Sequence, residues 1–195
     1  MINSRKARRL FVIIFAVIVL YILGLNIPKL LNAIYPIEYR DIIVKYADSY
    51  GLDPYLVAAI IKVESGYDSY ARSSKGALGL MQIKPSTGEW IGEKLKVTNF
   101  SEEMLYDPEI NIKMGCWYLD YLFKYYNGDI KLVLAAYNGG QGNVSKWLKD
   151  ADYSDDGVTL KNIPFAETKL YVEKINRAYK MYSKIYRDLI NKGKE

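Results

Sequence analysis

The sequence predicts a mainly α-helical domain preceded by one N-terminal transmembrane helix. Apolar residues recur at helical spacing through most of the chain, and strand signals are nearly absent. Asp-Pro pairs at 53–54 and 107–108 mark helix starts, because proline has no amide hydrogen to lose there and the aspartate oxygen accepts from an unpaired amide. Half of the 195 residues are hydrophobic, which is enough for one domain with a sizeable core.

The transmembrane prediction rests on residues 10–25, LFVIIFAVIVLYILGL, which follow four basic residues at positions 5–9. This run is longer than a typical signal-peptide core of about 7–15 residues, and the two residues after it extend it toward the roughly 20 that span a bilayer. No small-residue cleavage site follows. We therefore predict an uncleaved signal anchor at 10–27, a basic cytoplasmic tail at 1–9 and a single-pass protein whose remainder is extracytoplasmic. Secretion after signal cleavage is the alternative.

Residues 28–37 are predicted to be a short linker, with Pro28 and Pro36 limiting any helix. The globular domain is predicted at 38–191. Its first helix is expected at about 38–50, and Gly51 ends it.

The second helix carries the most informative acidic residue. It begins at Asp53 and ends at Gly66, which leaves Glu64 in its last turn, on the same face as Val57 and Ile60. Desolvation and the negative end of the helix dipole both disfavour the ionised carboxylate, so we predict a raised pKa for Glu64. A solvated surface glutamate is the simpler alternative.

The central part of the chain is predicted to alternate loops and helices. Residues 67–78 form a loop, 79–82 a short helical turn that breaks at Pro85, and a helix resumes to about residue 95. Ser101 begins a capped turn. The helix that starts at Asp107 runs to about residue 126 and is apolar on most faces, which predicts a central, buried element.

The C-terminal part is predicted to hold three helices. Asp129 starts the first, which places Tyr137 and Asn138 beside a Gly-Gly pair and suggests the wall of a site. A short helix surrounds Trp147, residues 151–162 form an exposed loop, and the last helix is expected at about 165–191.

Composition excludes several classes of function. The chain has no histidine, which removes imidazole bases and the common zinc sites, and Cys116 is its only cysteine. Of the 27 basic residues, four lie at positions 5–9, so the rest of the chain has 23 against 22 acidic residues. That balance is not a nucleic-acid footprint. We predict no metal, no cofactor and no nucleic-acid partner.

Four sequence blocks then occur in order: Glu-Ser-Gly at 64–66, Gly-Ala-Leu-Gly-Leu-Met-Gln at 76–82, Ala-Tyr-Asn-Gly-Gly at 136–140 and Ile-Pro-Phe-Ala-Glu-Thr-Lys-Leu-Tyr-Val at 163–172. In these blocks the chain resembles the soluble lytic transglycosylase (SLT) catalytic domain, a lysozyme-like family that cleaves peptidoglycan glycan strands. The resemblance covers roughly residues 40 to 185. It implies a lysozyme-like fold for 38–191 and peptidoglycan as the partner.

The resemblance also implies a reaction and its residues. Glu64 is the catalytic residue: it cleaves the β-1,4 bond between N-acetylmuramic acid and N-acetylglucosamine as an acid, then acts as a base that closes a 1,6-anhydromuramic end. The substrate-binding positions are Ser65, Met81, Gln82, Tyr137, Asn138, Glu167 and Tyr171. The tyrosine at 171 is expected to point toward the catalytic glutamate. Gly139 and Lys169 depart from the family, where Ala and Arg are common, and neither is expected to abolish activity.

A second carboxylate is not evident near Glu64, because Asp68 is expected on a loop and Glu89 and Glu93 lie beyond Pro85. Ordinary glycosidases use two carboxyl groups, so this pattern favours the transglycosylase reaction. A hydrolytic muramidase on the same fold and an inactive glycan-binding scaffold are the alternatives. Besides peptidoglycan, the expected partner is the cell membrane, through the N-terminal helix; protein partners are left unknown.

Overall fold

Helices make up most of the chain in the computed structural model, which describes residues 4–186. The α-helices are Ser4–Ile34 (α1), Arg40–Ser49 (α2), Pro54–Glu64 (α3), Pro85–Leu95 (α4), Pro108–Tyr125 (α5), Ile130–Gly139 (α6), Gln141–Leu148 (α7) and Ala166–Ile185 (α8), and a 3₁₀ helix spans Glu102–Tyr106. Over residues 4–186, β structure is limited to isolated bridges from Leu78 to Arg72 and Ile83. The mainly α-helical prediction is confirmed.

The chain divides into two units, Met1–Pro36 with Ile185–Glu195, and Ile37–Lys184. In the first unit α1 continues through Pro28 to Ile34, so most of the predicted linker is helical instead. A proline inside a helix costs about 3 kcal/mol, which a helix with many other intact hydrogen bonds can bear. Among the residues that the structure describes, none of the helices combines the length and apolar composition that a membrane crossing requires.

The core of the second unit surrounds α5, as the sequence predicted. This helix packs against α2, α4, α6 and the 3₁₀ helix. Its buried apolar residues include Ile112, Met114, Cys116, Leu119 and Leu122. Burial raises the pKa of the Cys116 thiol far above its ordinary value.

Three aspartates cap helices as predicted. The Asp53 carboxylate accepts from the Tyr55 amide at 2.8 Å. Asp107 and Asp129 do the same for amides at the starts of α5 and α6, at 2.9 and 3.0 Å. Each cap satisfies an amide without a helical partner and typically stabilises a helix by about 1 kcal/mol.

The region around Pro85 differs from the prediction. Residues 79–82 form a turn that is not helical. Pro85 begins α4 instead of breaking a helix. Lys84 before it has extended backbone, which is the conformation that a following proline favours. Pro85 therefore takes the first helical position, where its missing amide costs nothing.

The loop at 151–162 is mostly exposed, as predicted, but it is locally ordered. Asp156 accepts from the Val158 and Thr159 amides and from the hydroxyl groups of Ser154 and Thr159. These hydrogen bonds lower the pKa of Asp156. Ser154 and Leu160 are buried within the loop.

The last helix, α8, begins at Ala166, one residue after the predicted start. Tyr171, Ile175 and Tyr182 are buried on its inner face. The predicted helix end at residue 191 lies outside the described residues.

Candidate active site

A cleft of about 750 Å³ lies in the Ile37–Lys184 unit. Its walls are formed by the end of α3, the loop before the 79–82 turn, the start of α4, the middle of α5, the end of α6 and the start of α8. Its charged lining residues are Glu64, Lys75, Lys84 and Glu167. The other lining residues that matter below are Gln82, Tyr118, Tyr137, Asn138 and Thr168.

Glu64 is the last residue of α3, and its half-buried side chain lines the cleft. Val57 and Ile60 on the same helix are fully buried, so the carboxyl ends an apolar face. Burial raises the pKa of Glu64 from 4.5 to about 7, as predicted from the sequence. The carboxyl group is therefore substantially protonated at neutral pH.

Tyr171 is a close neighbour of Glu64. Its hydroxyl group is close enough to lower the pKa of Glu64, an effect smaller than that of burial. Among the described residues this buried hydroxyl has no partner at hydrogen-bond geometry. Burial and the nearby Glu64 carboxylate raise the pKa of Tyr171 well above its ordinary value, so its phenol stays a neutral donor.

The turn at 79–82 forms one side of the cleft, and hydrogen bonds from Asn111 and Tyr137 hold it in place. The Asn111 amide nitrogen donates to the carbonyl groups of Leu78 and Leu105 at 3.0 and 2.7 Å. Its side-chain oxygen accepts from the Met81 amide at 2.8 Å. The Tyr137 hydroxyl donates to the Met81 carbonyl at 2.8 Å, so this predicted wall residue also supports the turn.

The structure places Met81 differently from the prediction. Its side chain is fully buried and is not among the residues that line the cleft. Its sulfur packs so closely on Gly115 of α5 that a methyl group there would overlap it. Met81 thus supports the turn. The sequence could not predict this, because a turn has no helical periodicity from which the direction of its side chains follows.

Gln82 lines the cleft as predicted. Its amide nitrogen donates to the Ala71 and Gly79 carbonyl groups at 3.2 and 2.9 Å. Both amide hydrogens are used in this way, so the side-chain oxygen is the group that can accept from a ligand.

Ser65 lies beside Glu64 in the chain but not among the cleft-lining residues. Its hydroxyl group donates to the Ile61 carbonyl at 3.2 Å and accepts from the Tyr67 amide at 3.1 Å. It therefore closes the end of α3 and fixes the backbone that carries Glu64.

Asn138 lines the cleft beside Tyr137. The hydroxyl group of Thr168, whose side chain is buried, donates to the Asn138 side-chain oxygen at 2.8 Å. No described residue accepts from the Asn138 amide hydrogens, so they are able to donate to a ligand. A β-carbon on Gly139 would lie 3.1 Å from the Thr168 hydroxyl oxygen, so glycine permits this contact between α6 and α8.

Glu167 lines the cleft at the start of α8 and pairs with Lys75. The Lys75 ammonium group donates to the two carboxylate oxygens at 2.8 and 2.7 Å, joining residues 92 positions apart. Both side chains are exposed. Such surface pairs contribute about 0–1 kcal/mol, so the contact is readily exchanged for another.

Lys75, Tyr118 and Thr168 are among the cleft-lining residues that sequence reasoning missed. Tyr118 lies on α5, where apolar residues occupy most faces and nothing marks one tyrosine. Its ring centroid is 5.5 Å from that of Tyr137. Within residues 4–186, no group of three cysteine or acidic side chains is placed to hold a metal ion.

The helical fold and its cleft are of the lysozyme-like kind. The chain belongs to the transglycosylase SLT domain family, whose sequence model matches residues 41–158. It is 32% identical to the soluble lytic murein transglycosylase of Escherichia coli K12 over 78% of this chain and 24% of that protein. It is 33% identical to the membrane-bound lytic murein transglycosylase C of Edwardsiella ictaluri over 76% of this chain and 47% of that protein.

A solved structure gives the same result for the fold. An inactive mutant of lytic transglycosylase Slt from Pseudomonas aeruginosa superposes with a TM-score of 0.68 at 35% identity, over 77% of this chain and 24% of that one. The chain therefore spans about a quarter of the length of the soluble relatives that it matches.

Proposed function

We propose that the chain is a membrane-anchored peptidoglycan lytic transglycosylase. It cleaves the β-1,4 bond between N-acetylmuramic acid and N-acetylglucosamine and forms 1,6-anhydromuramic ends. The observation that carries this proposal is Glu64, a carboxyl group with a pKa of about 7 that lines a cleft in an SLT-family fold. The names of the relatives support the same substrate.

In the first step Glu64 acts as the acid. The bound strand places its glycosidic oxygen next to the protonated carboxyl group, which donates its proton as the bond to the muramic C1 breaks. The C1 atom acquires oxocarbenium character, and Glu64 is left as a carboxylate. The neighbouring Tyr171 phenol, which stays neutral, then stabilises that charge.

In the second step Glu64 acts as the base. Its carboxylate removes the proton from the C6 hydroxyl group of the muramic residue, and the C6 oxygen bonds to C1. The products are a 1,6-anhydromuramic end and a free N-acetylglucosamine end. The proton returns to Glu64 and no water is consumed, so the cycle closes with one carboxyl group.

The other acidic residue of the cleft supports this choice of reaction. Among the cleft-lining residues described, Glu167 is the only carboxylate besides Glu64, and both of its oxygens accept from Lys75. A protein nucleophile would need an ionised carboxylate that faces C1. A substrate hydroxyl group therefore fits the site better.

Two polar groups are proposed to orient the strand. The Gln82 oxygen accepts from a sugar hydroxyl or amide group, and the Asn138 amide donates to a sugar oxygen. Tyr137 acts mainly through the turn that it supports. Ser65 and Met81 position Glu64 and Gln82 rather than touching the sugar.

We propose the following domain organisation from the sequence. A basic tail at 1–9, an anchor at 10–27 and a connecting segment at 28–37 precede the catalytic domain at 38–191, which lies on the extracytoplasmic side. The uncharged residues 10–25 and the membrane-bound relatives support attachment to the membrane.

Digestion of purified cell-wall sacculi in ¹⁸O-labelled water tests the reaction. We expect anhydromuropeptides without label, and the Glu64→Gln chain should bind strands while losing most of its turnover, about 10²- to 10⁴-fold. Label at the muramic C1 would show that water attacks and would establish a muramidase instead. Strand binding by the unaltered chain without any cleavage would establish a scaffold.

A further inference from the structure

A continuous aromatic surface begins at the cleft and runs along α5 and α4. We define it as Trp90, Trp117, Tyr118, Tyr121 and Tyr125. Tyr118 belongs both to this surface and to the cleft lining. The sequence predicted α5 as a central buried helix, and the aromatic surface is the face of α5 that stays partly uncovered.

Three of the four α5 rings share one orientation, and the ring of Tyr125 is tilted by 33° from that of Tyr121. The Trp117 and Tyr121 rings are 5.8 Å apart with an angle of 8° between their planes. The Tyr118 and Tyr121 rings are 6.2 Å apart at 12°. Tyr125 continues the row, 6.3 Å beyond Tyr121. Helical geometry puts Tyr125 about 10 Å along the axis from Tyr118, roughly the length of a disaccharide unit.

Trp90 of α4 holds this row in place. Its ring stands nearly perpendicular to those of Trp117, Tyr118 and Tyr121, at angles of 70°, 87° and 76° and centroid distances of 5.2–6.2 Å. Edge-to-face pairs of this kind are favourable beyond the area they bury. The surface is therefore preorganised, which lowers the entropy lost when a ligand binds.

The chemistry of the surface fits a carbohydrate. Aromatic faces pack against the apolar C–H faces of sugar rings, and tyrosine hydroxyl groups exchange hydrogen bonds with sugar oxygens. The same helix carries an ion pair, Lys124 with Asp120 at 2.6 Å, which favours an aqueous polar ligand over a lipid surface. Continuity with the cleft at Tyr118 makes the occupant a further part of the strand bound there.

We propose that the aromatic surface extends the glycan-binding site beyond the cleft and binds the part of a polysaccharide strand that leaves the cleft at Tyr118. This inference rests on the proposed function, because it takes the substrate to be a long β-1,4-linked strand. Long strands then gain affinity from the surface. Short fragments that fill only the cleft do not.

The test compares strand lengths in the full chain, purified in detergent. Trp117→Ala combined with Tyr125→Ala is placed in the Glu64→Gln background, so that binding is measured without cleavage. The probes are peptide-free peptidoglycan glycan strands and a tetrasaccharide prepared from them. We expect about a tenfold loss of affinity for the long strands, from two lost ring contacts, and unchanged affinity for the tetrasaccharide.

Tyr70→Ala is the matched control. Tyr70 is 76% exposed and stacks on Tyr106, away from both the cleft lining and the aromatic surface. Its loss should leave both affinities unchanged. Tyr125→Ala alone, at a position 54% exposed, gives a milder variant whose folding is not in doubt and which should show a smaller loss of the same kind.

Three results would overturn the proposal: unchanged affinity for long strands, equal loss for both lengths, or a loss of binding that is seen for lipid vesicles and not for strands. The last would identify a membrane contact. The proposed function can fail independently of this proposal. If the unaltered chain binds long strands through this surface but does not cleave them, the proposed reaction is refuted and the extended binding site remains.

Discussion

The Glu64 carboxyl group that the proposed reaction needs also makes the stability of the fold depend on pH. Its carboxyl group has a pKa of about 7 in the fold and an ordinary value of 4.5 without it. Between those values the folded chain binds a proton that the unfolded chain releases. The contribution of Glu64 to the free energy of unfolding is therefore largest below about pH 4.5 and is lost as the pH rises to about 7.

The first prediction is that Glu64→Gln stabilises the domain at high pH. The amide keeps the shape and removes the cost of ionising a buried carboxyl group, so we expect a gain of about 2–3 kcal/mol near pH 8. Near pH 4 the gain should vanish, because the glutamate is then protonated. Urea denaturation at both pH values measures the gain in the free energy of unfolding. An equal gain at the two pH values would contradict the raised pKa of Glu64.

The second prediction concerns Tyr171. Its hydroxyl group lowers the pKa of Glu64, so Tyr171→Phe should raise that pKa. The alkaline limb of kcat/KM, expected near pH 7 for the unaltered chain, should move to higher pH. Stability should change little, because this hydroxyl has no hydrogen-bond partner among the described residues. A limb that stays in place or moves to lower pH would show that the two groups do not interact.

At the scale of elements, the turn at 79–82 depends on α5 and α6 rather than on its own sequence. Asn111 makes three hydrogen bonds to the backbone around it, and Tyr137 makes a fourth. Gly79 has a φ of 71°, and a β-carbon there would overlap the Leu105 carbonyl and the Asn111 side chain. The turn is thus packed as part of the core while it presents Gln82 to the cleft.

The third prediction is that Asn111→Ala destabilises the domain strongly. It leaves three buried backbone groups without a partner, at about 1–3 kcal/mol each, so we expect a loss of at least about 3 kcal/mol in denaturant. Asn111→Asp removes both donors and places a buried carboxylate against the Leu78 and Leu105 carbonyl groups, so it should destabilise the domain at least as strongly. If the alanine chain were as stable as the unaltered one, the turn would not depend on this side chain.

The helix boundaries could be predicted because their signals are local. Asp53, Asp107 and Asp129 bond to amides two or three residues away, and each is recognisable without the rest of the fold. The pKa of Glu64 followed from its helix face for the same reason. Pro28 was the exception, because the helix around it tolerates one missing hydrogen bond.

The remainder of the site depends on long-range contacts. Lys75 meets Glu167 across 92 residues, and Thr168 meets Asn138 across 30. Neither contact has a local pattern. Met81 was assigned to the groove from its block, yet only the packing of α5 against the turn decides which of two adjacent residues, Met81 or Gln82, reaches the surface.

At the scale of the whole molecule, charge is separated along the chain. Four of the bases lie at positions 5–9, ahead of the apolar run, and the rest of the chain is nearly balanced. This asymmetry would orient the proposed anchor, and it provides little attraction between the domain and an anionic surface.

The fourth prediction is that the native chain stays in the membrane fraction through a carbonate wash and keeps residues 1–23. The uncharged run at 10–25 supplies the retention, so a variant without residues 1–27 should be released by the same wash. Sequencing the N-terminus of the membrane-bound protein checks the second point. A mature N-terminus between residues 24 and 37 would show that the segment is a cleaved signal.

The buried thiol of Cys116 has a practical consequence for spectroscopy. It is the only sulfhydryl group in the chain, and its burial and raised pKa keep it from reacting with maleimides or methanethiosulfonates. The native sequence is therefore already a background for site-directed labelling. Cysteines introduced in place of Lys75 and Glu167 would carry a spin-label pair, and the distance between the labels would report whether the width of the cleft changes when glycan strands are added.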